Sequence, residues 1–286
     1  FKEIIPNRYY LFIISISLLS FISFLDDRKS IDPIFRLISQ MILVYLSISC
    51  LKLSEIGLPD KLVFLLAVCS WIYIINITNF IDGSDGFLIS NFIFYSLNII
   101  FLGYYFKFDI FSYEIVKICM PFILVYFLFN KPKAKLFMGD AGSIFLGFLV
   151  GYFFLELLIM NKWNIALSLL SYNLLDCSYC LIKKMKRGIM PWIGIYDYFF
   201  LKPILKNKIN HFNVFYLINI FWIINTLIII SQEYFKLQYL FILSILFSIV
   251  LLVIFENLEK PLIISSYENF SYRSSTLLIS RYCKSL

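Results

Sequence analysis

Three short stretches carry side chains whose types and spacing could do chemistry. In NITNFIDGSDG, residues 76–86, two amides (Asn76 and Asn79) and two carboxylates (Asp82 and Asp85) follow directly on one of the most apolar runs in the chain. FLDDRK sets Asp26 and Asp27 at the end of an earlier apolar run, and FMGDAGS sets Asp140 just before a later one. Carboxylates at such positions are costly unless they meet water, a cation or a partner. Carboxylates and amides without a cluster of histidine or cysteine form a hard oxygen environment, suited to Mg²⁺ or Mn²⁺. Magnesium takes one or two protein carboxylates and shares its remaining positions with water and substrate phosphates. Glycine beside Asp82, Asp85 and Asp140 lets a bulky phosphate approach the backbone, so the chemistry expected is phosphoryl transfer.

Each stretch also has a plainer reading. Asp26-Asp27-Arg28-Lys29 reads as a solvated turn, and Asp82 and Asp85 read as caps of the next helix, with Ser84 and Gly86 completing the turn. Asp140 reads as part of a turn and N-cap before an apolar run, and Asp176 as a hydrogen-bond partner for a neighbouring helix. Cys177 and Cys180 are spaced like a metal or redox pair. They lie in an apolar run with no second pair and only one histidine, His211, in the chain, so they read as buried, inert thiols. His211 itself reads as a capping or surface residue.

Membrane helices must position these groups. With 61% hydrophobic and 15% charged residues and a mean hydropathy of +0.85, the chain falls outside the soluble globular range, where charge runs near a quarter. About 20 apolar residues cross a bilayer core. Nine runs approach that length: Tyr9 to Leu25, Ile34 to Leu51, Leu62 to Phe80, Phe87 to Phe106, Ile115 to Phe129, Ser143 to Met160, Trp163 to Ile182, Val214 to Ser231 and Tyr234 to Phe255. The second carries Arg36 and Gln40 near its start, and the fifth is short and broken by Pro121, so these two are the weakest. No small-residue cleavage site follows the first run. The expected fold is all-α, a polytopic membrane helix bundle of about nine transmembrane helices forming one domain over residues 1–255. Residues 256–286 are a tail.

Counting crossings places the connectors 26–33, 81–86, 130–142 and 183–213 and the tail on one face, with 16 of the 25 basic residues. The positive-inside rule makes that face cytoplasmic, and the short connector with Lys131, Lys133 and Lys135 is its best witness. Asp26, Asp27, Asp82, Asp85 and Asp140 all fall on the same face. Carboxylates from three separate helix ends could therefore converge, with Asp176 as an optional addition.

The order of FLDDR, NITNFIDGSDG and FMGDAGS, then the Asp176 and Tyr179 helix and a basic cytoplasmic loop, resembles the polyprenyl-phosphate N-acetylhexosamine-1-phosphate transferases. This superfamily includes phospho-N-acetylmuramoyl-pentapeptide transferase and the O-antigen-initiating transferases. The DDR form, with Ser30 where the first branch has lysine, is closer to the antigen and teichoic acid branch. The resemblance implies transfer of a sugar 1-phosphate from a UDP-sugar to undecaprenyl phosphate at the cytoplasmic face of a bacterial inner membrane, releasing UMP and starting a cell-envelope glycan such as O-antigen.

It further implies Asp140 as the leading Mg²⁺ ligand, with Mn²⁺ able to substitute, and Asn76 or Asn79 as a second ligand. Asp26 and Asp27 would handle the lipid phosphate, one of them as base or nucleophile. Asp82 and Asp85 would orient the nucleotide diphosphate or metal waters. UDP-sugar, polyprenyl phosphate and membrane lipids are the expected partners, with a homodimer as an option and no nucleic acid. Against the family's pattern, a sequence opening at Phe1 is expected to lack the family's amino-terminal helices, and it offers only His211 where relatives carry several histidines. Two alternatives stay open: a truncated, inactive member of the family, and a cation- or proton-coupled carrier.

Overall fold

A computed structural model of the chain describes residues 9–49, 51, 60–108, 110–190 and 197–259. Within these residues the chain is built of helices, in the order α1 (Tyr10–Arg28), α2 (Pro33–Ile48), α3 (Asp60–Phe80), α4 (Phe87–Tyr105), α5 (Phe111–Asn130), α6 (Gly139–Ile159), α7 (Trp163–Lys186), α8 (Lys202–Leu205), α9 (His211–Tyr234) and α10 (Phe241–Glu259). Eight are long and apolar enough to cross a membrane, as an all-α polytopic bundle requires. The second run is the exception: its helix, α2, has 16 residues, about 24 Å at 1.5 Å per residue. The fifth run is a continuous 20-residue helix that contains Pro121. Cys50, Cys283 and most of the 256–286 tail lie outside the described residues.

Two sequence expectations need correcting at the helix ends. Helix α1 continues through Asp26 and Asp27 to Arg28, so the acidic pair sits on its last turn and not in an open loop. Helix α4 starts after Gly86, which adopts φ +72°, and no side chain caps it. Neither Asp82 nor Asp85 therefore acts as its cap.

The packing that matters most is α3 against α6. Gly139, Ser143, Gly147 and Gly151 recur every four residues along α6 and form one ridge of small side chains, which lets two helix backbones approach closely. A Cβ on Gly147 would stand 2.9 Å from the Cα of Ile75, and Gly151 lies under the Trp71 indole. Trp71 Nε1 donates to the Phe148 carbonyl (2.9 Å), and Ser143 Oγ donates to Asn79 Oδ1 (2.5 Å). Each step of four along α6 thus matches a step of four back along α3, from Trp71 through Ile75 to Asn79. Carried past the end of α3, this antiparallel register leads to Asp82 opposite Asp140, and the two carboxylates do repel one another.

Helix ends alternate in space. The ends of α1, α3 and α5 meet the starts of α2, α4, α6 and α9 at one end of the bundle, through the contacts described below. At the other end the Glu156 carboxylate of α6 accepts the backbone N–H groups of Phe111 (2.7 Å) and Ser112 (2.9 Å) at the start of α5. There Lys162 also pairs with Glu233 of α9. Between the two ends, buried polar groups tie α4, α7 and α9 together: Asn91 Nδ2 donates to Asn173 Oδ1 (3.2 Å), and Trp222 Nε1 donates to Asn91 Oδ1.

Candidate active site

The acidic pair and Asp140 are linked directly. Both oxygens of Asp27 accept backbone N–H groups at the start of α6, from Asp140 (2.9 Å) and Ala141 (3.1 Å). The first N–H groups of a helix lack partners within it and carry its positive end, so a carboxylate from α1 is well placed there. The approach depends on Gly139, which adopts φ +64° and whose added Cβ would stand 2.7 Å from Asp27 Oδ2. That is the local reason for glycine in FMGDAGS.

Asp26 joins the same cluster through Arg36. Its Oδ1 accepts the Ile31 N–H (2.6 Å) in the α1–α2 turn, and its Oδ2 meets Arg36 Nη1 at 2.5 Å. The same Nη1 donates to Asp140 Oδ2 at 2.8 Å. Arg36 therefore joins α1 to α6 from the first turns of α2, a helix opened by Pro33 and by Asp32 accepting the Ile34 N–H. Sequence reading noted Arg36 only as a charge inside an apolar run. Its partners, 10 and 104 residues away, are invisible to local pattern.

The 81–86 connector completes the cluster. Among the described residues, no hydrogen bond holds the Asp82 carboxylate. Burial first, then the Asp140, Asp27 and Asp85 carboxylates, push its pKa up from 3.8 to about 7. The four carboxylates share one field, and a cation would relieve it. Asp85 is more committed: its Oδ2 accepts the backbone N–H groups of Lys133 and Ala134, both at 3.1 Å. It thereby fixes the lysine-bearing connector after α5, where Lys133 adopts φ +67°.

The two asparagines part company. Asn79 stands beside the Asp140 carboxylate and accepts from Ser143. Asn76, one turn earlier, donates to Gln40 Oε1 and to the Ile72 carbonyl, both at 2.8 Å, and no described contact brings it to the carboxylates. Asp176 is fully buried elsewhere, where it accepts the Phe199 N–H (3.1 Å), the Tyr172 hydroxyl (3.0 Å) and the Cys180 thiol (3.4 Å). The expected partner on a neighbouring helix is replaced by its own helix, α7, and by the turn at Phe199. Cys177 and Cys180 are buried free thiols.

His211, at the first position of α9, is partly exposed but not isolated. Its Nδ1 accepts the Asp85 backbone N–H (3.2 Å) and lies 3.1 Å from Ser84 Oγ. Among the described residues no three His, Cys, Asp or Glu side chains form a ready metal site. The donors available around Asp140 are carboxylates and one amide, a hard oxygen set that leaves positions to be filled by substrate oxygens.

The model of glycosyl transferase family 4 matches residues 9–158, more than half of the 286-residue chain. The chain belongs to glycosyl transferase family 4. The family-4 region holds both aspartates of α1, Arg36, the 76–86 stretch and Asp140, and it ends before Asp176 and His211. Over 205 residues the chain is 26% identical to the undecaprenyl-phosphate alpha-N-acetylglucosaminyl 1-phosphate transferases of Salmonella typhi and Salmonella typhimurium. The match covers 64% of this chain and 54% of each relative, so this family-4 chain spans about half the length of the curated relatives it matches.

Proposed function

We propose that this multi-pass membrane protein transfers a sugar 1-phosphate, of N-acetylhexosamine type, from a UDP-sugar to undecaprenyl phosphate. An oxygen of the lipid phosphate attacks the phosphorus that bears the sugar. The bond from that phosphorus to the UMP oxygen breaks, UMP leaves, and a lipid-linked diphosphosugar remains to start a cell-envelope glycan. The reading is carried by one observation: Asp27, Asp82 and Asp140, from three separate helix ends, stand in one electrostatic cluster beside a single guanidinium. Family membership and the printed activity of the Salmonella relatives support it.

The donor set fits Mg²⁺ or Mn²⁺ shared with the substrate, with Asp140 as leading ligand and Asn79 the nearer of the two amides; Asp82 supplies negative charge with no competing hydrogen bond among the described residues. When bound, the ion supplies neutralisation of the diphosphate. Asp27 holds the α6 start, where backbone N–H groups face acidic ligands. Asp26 keeps Arg36 aimed at Asp140, and Asp85 orders the connector bearing Lys131, Lys133 and Lys135, which attracts anionic substrate from the cytoplasmic side.

The test incubates membranes containing the protein with radiolabelled UDP-N-acetylhexosamines, undecaprenyl phosphate and Mg²⁺, and measures UMP release and chloroform-soluble label. Both signals are expected from the wild type, and Asp140→Asn should lower both by at least 100-fold while leaving thermal unfolding in detergent unchanged. A variant as active as wild type would remove Asp140 from the metal role. Ion flux into liposomes without transfer would replace the enzyme by a carrier.

A further inference from the structure

The loop that carries Asp82 and Asp85 is gripped by parts of the chain beyond the family-4 match. On one side a Cβ on Gly83 would meet Leu201 at 3.3 Å and Phe200 at 3.6 Å. Phe80 and Phe87, which flank the loop, stack on Tyr198 and Phe200 at ring distances of 6.3 and 4.3 Å. That 198–201 segment is itself tied to α7 by the Phe199 N–H on buried Asp176 (3.1 Å). On the other side is the first turn of α9. Phe215 lies so close to Gly86 that an added Cβ would stand 2.7 Å from its ring, and one turn earlier His211 meets the loop through its imidazole.

The imidazole contact is specific in chemistry. A backbone N–H can only donate, so the nitrogen it meets must offer a lone pair. Nδ1 of His211 therefore accepts from Asp85 N (3.2 Å) and stands 3.1 Å from the Ser84 hydroxyl, which leaves the ring proton on Nε2. Asp85 Oδ1 lies 3.7 Å from the same nitrogen, beyond hydrogen-bond distance, while Asp85 Oδ2 is held by the Lys133 and Ala134 N–H groups. The histidine thus pins the backbone of the loop and not its carboxylate. Asp82, two residues before Ser84, has no hydrogen bond to its carboxylate among the described residues, while the loop around it is held at Ser84 and Asp85.

We propose that His211 is a positioning residue of the transferase, whose Nδ1 lone pair anchors Ser84 and Asp85 and thereby fixes the Asp82 carboxylate against Asp140. This role rests on the transfer reading above, and it is a contact with the loop, not with substrate. It also gives α7–α9 a function in the site: they hold a loop whose acidic residues come from the matched region.

The test exploits the presence of one histidine in the chain. Protein labelled with ¹⁵N-histidine, with any tag free of histidine, yields signals from a single imidazole. The expected spectrum at pH 8 is that of the Nε2–H tautomer with an unprotonated, hydrogen-bonded Nδ1; an Nδ1–H tautomer would overturn the proposal.

Substitution supplies the second arm. Asn places its amide oxygen near the position of Nδ1, whereas Gln places it near Nε2 and Ala offers none. His211→Asn should retain kcat/KM within threefold of wild type and leave amide hydrogen exchange over residues 81–90 unchanged. His211→Gln and His211→Ala should speed that exchange at least tenfold and lower kcat more than KM changes, with exchange in the middle of α6 unaltered. Equal behaviour of all three variants would overturn the positioning role. The tautomer and the exchange rates are read without turnover, so an inactive wild type would count against the transfer reading alone.

Discussion

Asp82 is the residue whose chemistry is most exposed to test. Its pKa is raised from 3.8 to about 7, so between those values the folded protein holds a proton that the unfolded chain releases. Stability from this group is therefore complete below about 3.8 and is lost as pH rises through 7. Asp82→Asn should raise the unfolding temperature in metal-free detergent at pH 8, with a smaller gain at pH 5. Mg²⁺ should bind wild type more tightly as pH rises from 5 to 8, with proton release seen by calorimetry, and Asp82→Asn should flatten that dependence. A second prediction concerns Gly139, whose φ of +64° and contact with Asp27 both exclude a side chain. Gly139→Ala should cost about 1–2 kcal/mol from the left-handed backbone alone, visible as a lower midpoint in thermal unfolding. At this scale the sequence identified the carboxylates by type and by the glycines beside them. It passed over Arg36, whose two acidic partners come from other helices, and it read His211 as a surface or capping group, because the Ser84 and Asp85 contacts lie more than 120 residues away.

Helices carry the next level of argument. Hydropathy marked the apolar runs because lipid-facing and core-facing side chains are alike in composition, but it placed ends poorly. Helix α1 absorbs Asp26 and Asp27 in its last turn, and α9 begins at His211, not at Val214. Polar residues at a helix end interrupt an apolar run without interrupting the backbone hydrogen bonds. The α6 ridge was readable only in part, since Gly139, Ser143, Gly147 and Gly151 are evident in the sequence but their partner helix is not. Gly147→Leu should drive α3 from α6, because even a Cβ would stand 2.9 Å from the Ile75 backbone. The expected result is a lower unfolding midpoint together with at least a tenfold loss of transfer, with Gly147→Ala falling between the variant and wild type in both measurements.

For the whole molecule, the bundle sorts its charges by end. The carboxylate cluster, Arg36 and the exposed lysines of the 131–135 connector occupy one end, while Glu156, Lys162 and Glu233 lie at the other. We expect the first end to face the cytoplasm. In a background without cysteine, Lys133→Cys should react with an impermeant maleimide only in inverted vesicles, and Asn161→Cys only in intact cells; the reverse pattern would invert the topology. This division was legible from counting runs and basic residues, because each helix reverses the chain. The route by which α7–α9 reach back to the 81–86 loop was not, since it rests on aromatic stacking and one imidazole.

The matched steps along α3 and α6 work like the teeth of two gears. Adding one residue to α3 between Ile75 and Asn79 would leave Trp71 engaged on Gly151 but rotate everything beyond the insertion by about 100°, carrying Asp82 away from Asp140. Deleting one residue would turn it the other way. A chain with every acidic side chain intact would then be mistimed, its parts present and out of mesh.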